Sequence, residues 1–102
     1  MAYTGKVEIS NSWAKLEDLI KEQIEDQSSF AFDSDTTYEL QCEGDWGARF
    51  SDSSTVPTDE DMNEGFCIMN TQVAHYKPSS NDLYVRTKHG TLGYLKIGVM
   101  GK

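Results

Sequence analysis

Asp59, Asp61 and Asn63, followed by Glu64 and Gly65, come nearest to a ligand set in this chain. Oxygen side chains at alternating loop positions suit calcium. The glycine, however, stands one place later than the turn of a helix–loop–helix calcium site needs, and the place of the closing bidentate glutamate is taken by Asn70. A solvated acidic loop over 58–65 is therefore expected, with no metal and no other cofactor. His75 lies in a strand pattern with no nucleophile pattern beside it, and His89 lies in the turn "KHGT". G-x-S-x-G, H-E-x-x-H and P-loop signatures are missing. No catalytic residue is assigned, and a non-enzymatic protein is expected. Cys42 and Cys67 show no C-x-x-C pattern and read as small buried residues on strands. A disulfide between them stays open only if the strands bring their Cα atoms within about 7 Å.

Aromatic side chains offer a second kind of chemistry. Trp46 stands in Gly44-Asp45-Trp46-Gly47 between two alternating runs, which reads as a hairpin corner. A rigid ring there is a good protein–protein anchor, and Trp46 is assigned as an exposed contact. Trp46, Tyr84 and Tyr94 with Arg86 could also form a flat platform for sugars if they share an exposed face. Aromatics on strands more often pack in cores or across strands, and that is the expectation for Tyr84 and Tyr94.

These residues need elements to position them. "SWAKLEDLIKEQIED" carries the one helical period, with Trp13, Leu16, Leu19, Ile20 and Ile24 on one face. Ser12 is placed to cap its start, and Glu17 and Lys21 are spaced as an ion pair. The apolar stripe must cover something. Docking on its own domain is slightly favoured from the pattern alone, but the near a/d spacing also fits subunit contact, to which those five residues are assigned. "MAYTGKVEIS" reads as a loose arm or an edge strand. From Ser28 onward the period changes to two, through "SFAFD", "YELQCE", "ARFSD", "TQVAHYK", "DLYVRT" and "GYLKIGVM", with "GFCIMN" a short continuous apolar run, as in a strand covered on both faces. About seven short strands at such spacing predict a mainly β chain: a small antiparallel β-sandwich or barrel with a short N-terminal helix. The expected division is an arm and amphipathic helix over 1–27 and a β-sandwich over 28–102.

The chain has 102 residues, with seventeen acids against nine bases and a net charge of −8. One modest core is the most it can bury. So acidic a chain, with no Lys/Arg cluster, is a poor partner for nucleic acid. No apolar run is long enough for a membrane span, and the N-terminus lacks the apolar core of a secretory signal, so maturation in a cytoplasm is expected.

"SFAFDSDTTYELQCEGDWGARFSDSSTVPTDEDMNEGF" and "AHYKPSSNDLYVRTKHGTLGYLKIGVMG" carry a resemblance. The first shows an aromatic strand, a Tyr-x-Leu/Ile-Gln strand ending in Glu-Gly, an Arg-bearing strand and a Pro-containing loop. The second shows a Tyr-Lys loop, then Leu-Tyr-Val-Arg and a closing Leu-x-Ile strand. In these features the chain is similar to small virion proteins encoded in the structural gene clusters of tailed phages and prophages. The resemblance implies a capsid decoration protein, head fibre or tail-associated component that works by assembly. Its implied partners are further copies of itself, a trimer being the assumed order, and other virion proteins such as the capsid. Its implied location is the virion, after assembly in the bacterial host cytoplasm. A carbohydrate-binding sandwich that takes surface glycans is the alternative, and an adaptor binding through an exposed sheet edge is a third.

Overall fold

The computed structural model describes residues 2–43, 47–57, 66–68, 72–87 and 92–101; side chains are described for these except 2–4, 66–68, 92, 100 and 101. The elements in chain order are β1 (Ala2–Ser10), β2 (Ala14–Lys15), α1 (Leu16–Gln23), β3 (Thr37–Glu43), β4 (Ala48–Ser53), β5 (Phe66–Ile68), β6 (Val73–Tyr76), β7 (Asp82–Thr87) and β8 (Leu92–Gly101). They form two four-stranded antiparallel sheets, ordered β1-β8-β3-β6 and β2-β7-β4-β5. The chain is mainly β, with the architecture of a small β-sandwich.

Period-two patterning explains most of the core. Tyr38, Leu40 and Cys42 alternate inward from β3, as do Val7 and Ile9 from β1 and Leu95 and Ile97 from β8. Phe50, Leu83 and Val85 meet them from the second sheet, and Leu16 and Ile20 of α1 complete the cluster. Tyr84 departs from the simple alternation: it is only 6% exposed beside buried Leu83 and Val85. β4 is likewise buried on both sides from Ala48 to Ser51.

Several expectations need correction. Residues 1–27 do not form a separate unit. β1 pairs with β8 from Ala2 to Ser10, and β2 joins β7 at Ala14 and Lys15. The N-terminal segment thus supplies an edge strand to each sheet. Ser12 does not cap the helix, because Ala14 and Lys15 are extended and Lys15 is the N-cap without a side-chain cap. α1 is therefore only eight residues long. It is favoured by Glu17 and Asp18 in its first turn and Lys21 in its last, which match the helix dipole. The chain leaves it through Asp26 at φ 69, a left-handed conformation that Asp tolerates.

"SFAFD" is not a strand. Its main-chain donors go elsewhere: Phe30 N–H to the Gln27 carbonyl, Phe32 N–H to Glu17 Oε2 and Asp33 N–H to the Tyr38 hydroxyl. Nor do β3 and β4 pair as a hairpin: β3 belongs to the first sheet and β4 to the second, so the chain changes sheets between them. Gly47, which opens that passage into β4, has φ 121, in the region that glycine adopts freely.

Candidate functional site

Leu16 and Ile20 are fully buried within this single chain, and Leu19 and Ile24 are partly buried against the same core. The helix docks on its own domain. This corrects the assignment of Leu16 and Ile20 to subunit contact, because they have no surface left for a second chain. Trp13 is half-buried before β2, with the Arg86 guanidinium 5.8 Å from its ring centroid. It packs within the chain as well. Trp46, His89 and the acidic loop 58–65 lie outside the described residues.

The sugar platform is not assembled from the other aromatics. Tyr94 is exposed on the first sheet, whereas Tyr84 and Arg86 belong to β7 of the second. Tyr84 is buried and pairs across the strand with Ser51, as expected of a strand aromatic. Cys42 is buried in the core of the first sheet, while the register sets Cys67 opposite Arg49 in the second. Among the described residues no group of three or more His, Cys, Asp and Glu side chains is arranged to hold a metal ion. No helix among them is long and apolar enough to cross a membrane.

A cleft of about 200 Å³ opens at one end of the sandwich, where the start of α1 meets the segments around Phe32 and Pro78. Lys15, Glu17, Ser34, Tyr76, Ser79 and Asp82 are among its lining. Its charged groups are already engaged. Lys15 Nζ lies 3.3 Å from Asp82 Oδ2, and that hydrogen bond and charge raise the lysine pKa above its ordinary value. Glu17 pairs with Lys21 at 3.6 Å, the expected i,i+4 bridge, while its other oxygen accepts the Phe32 N–H at 3.0 Å. Ser79 Oγ donates to the Asp52 carboxylate, with 2.8 and 2.9 Å to its two oxygens, and accepts from Asn81 N–H. Burial, reinforced by the charge of Asp52, pushes the Tyr76 phenol up to about 12. His75, by contrast, faces Glu39 at 3.9 Å on the solvent side of the first sheet. Chemically, these groups tie loops together; no imidazole among the described residues stands behind the Ser79 hydroxyl.

The remaining candidate surface is the first sheet itself. Its outer face sets Lys6, Lys96 and Glu43 in one ionic cluster, with Glu43 3.8 Å from Lys6 and 3.2 Å from Lys96. Lys6 Nζ also lies 5.0 Å from the centre of the Tyr94 ring. Exposed ion pairs of this kind add little stability but mark the face as solvent-facing. Among the described residues the sheet ends at β1 on one side and β6 on the other, neither with a further strand beside it. Val73 in β6 is 42% exposed. "MAYTGKVEIS" reads from its sequence as a loose arm or an edge strand, and the structure makes it an edge strand; that Gln23 reaches that edge is not legible there, because side-chain-to-backbone pairing over fifteen residues leaves no local pattern. No protein-family model, curated protein or solved structure matches this chain.

Proposed function

We propose that this chain is a non-enzymatic virion structural protein of a tailed phage or prophage, a capsid decoration, head fibre or tail-associated component. It works by associating with further copies of itself and docking on other virion proteins. The observation that carries the reading is the open-ended first sheet, bounded by β1 and β6. An edge strand presents a row of N–H and C=O groups to another chain, and strand addition is a common means of protein docking. The resemblance in "YELQCEGDWGARF" and "DLYVRTKHGTLGYLKIG" supports the virion setting. An acidic protein also stays soluble and clear of the packaged genome.

The test is the protein content of particles purified after induction of the host that carries the gene. Quantitative mass spectrometry is expected to find the chain in those particles, in fixed ratio to the major capsid or tail protein. A chain found only in the lysate and removed from particles by gradient purification overturns the reading.

A further inference from the structure

Glu8 N–H donates to Gln23 Oε1 at 2.7 Å, and the Glu8 carbonyl accepts from Gln23 Nε2 at 3.0 Å. The side-chain amide of α1 thus fills one position of a missing strand along the free edge of β1. In an antiparallel ladder alternate residues turn both main-chain groups to the same side. Because Glu8 faces away from β8, Lys6 and Ser10 do too, whereas Val7 and Ile9 face β8. The pleat sends the Lys6 and Glu8 side chains to solvent and buries Val7 and Ile9.

We infer that β1 is a self-association edge held shut by Gln23, and that its occupant, once the amide swings away, is β1 of a second copy running antiparallel about a twofold axis through Val7. Charge selects this register. Near the middle of β1, three registers bring outward-facing main-chain groups of two copies together. Setting Lys6 against Lys6, or Glu8 against Glu8, places like charges directly opposite, which destabilises a ladder. The third sets Lys6 against Glu8 of the second copy, and the twofold axis repeats the pair.

The single chain leaves these charges ready for that role. The Glu8 side chain is exposed and forms no ion pair among the described residues. Lys6 stands directly across from Lys96, and both share the one carboxylate of Glu43. A second carboxylate beside Lys6 balances that cluster. Gln23 occupies the path of the incoming strand, and Ile24, packed at Gly5, holds the helix end in place. The edge is thereby guarded rather than absent, as edges in stable proteins commonly are.

The inference rests on the self-association half of the proposed function, and one experiment separates the two. Light scattering over a concentration series compares the full wild-type chain with Gln23→Ala, Gln23→Ala/Glu8→Lys and Gln23→Ala/Glu8→Lys/Lys6→Glu, each checked for folding by its thermal melt. Losing both amide bonds is expected to tighten dimerisation by about tenfold or more. Adding Glu8→Lys is expected to undo that gain, and adding Lys6→Glu to restore it. A Gln23→Ala chain no more associated than the wild type overturns the latch, and association indifferent to Glu8→Lys overturns the register. Oligomers unchanged by every substitution remove the β1 edge but leave self-association standing; monomers throughout remove both.

Discussion

Glu17 joins two parts of the molecule that are distant in sequence. One carboxylate oxygen pairs with Lys21 on the helix, and the other accepts the main-chain N–H of Phe32. The helix pair was legible, because four-residue spacing puts side chains on one face. The bond to Phe32 was not, since nothing in "SFAFD" marks its donor as unpaired in a ladder. Glu17→Ala is expected to destabilise the fold by about 1–3 kcal/mol, and Glu17→Gln, which keeps the acceptor, by clearly less. Urea unfolding of the two variants checks this, and equal losses would assign the effect to charge instead. Tyr76 makes a second prediction at this scale. Its phenol pKa in the fold, about 12, lies above the ordinary value of 10.0. A raised folded-state value stabilises the fold fully below the unfolded pKa and loses that contribution as pH rises through the folded one. Stability is therefore expected to fall between about pH 10 and 12. Tyr76→Phe removes its share of that fall, measurable as a shallower dependence of the urea midpoint on pH.

Among elements, the segment from Ser28 to Thr36 shows how a correct pattern can lead to the wrong structure. Phe30 and Phe32 alternate as in a strand, yet they serve as anchors for an irregular connection. The Phe30 and Phe32 rings meet edge-on at 5.1 Å, and Phe32 meets Tyr38 at 4.9 Å and Tyr76 at 5.6 Å. Edge-to-face pairs of this kind favour specific geometry beyond the area they bury. The helix tells a similar story at its start, where Ala14 and Lys15 carry good helical propensity but are taken by pairing with β7. Its far end depends on close packing at β1. Gly5 has φ 153, and a Cβ there would stand 2.8 Å from Ile24 Cδ1. Gly5→Ala is expected to cost more than about 1 kcal/mol, through both the backbone conformation and the crowding of Ile24. Thermal unfolding checks it, and a companion Gly5→Ala/Ile24→Val variant should recover part of the loss.

For the molecule as a whole, chain neighbours in sequence are seldom neighbours in a sheet. Among the described strands adjacent in sequence, β4 and β5 alone pair with each other; the other strands find their partners across the chain. The N-terminal segment pairs with the C-terminal one along β1 and β8, so the fold closes only when both ends are present. A chain beginning at Ser28 lacks β1, β2 and α1, and with them Val7, Ile9, Leu16 and Ile20 of the core. Burying even one such side chain contributes about 2–5 kcal/mol, comparable with the margin of a small domain. The truncated chain is expected to lose cooperative unfolding in circular dichroism. A truncated chain that kept a sharp transition would restore residues 1–27 as a separable arm.

By itself the sequence determined the class of the fold and most of its strands, because the period of apolar residues records which face of each segment must leave water. It marked the Glu17–Lys21 pair for the same local reason. Sheet membership, the short reach of α1, the burial of Tyr84 and the closing of the β1 edge by Gln23 were decided only by tertiary structure. Those features depend on which distant segments meet, and hydrogen bonds and packing across such separations leave no periodic trace along the chain.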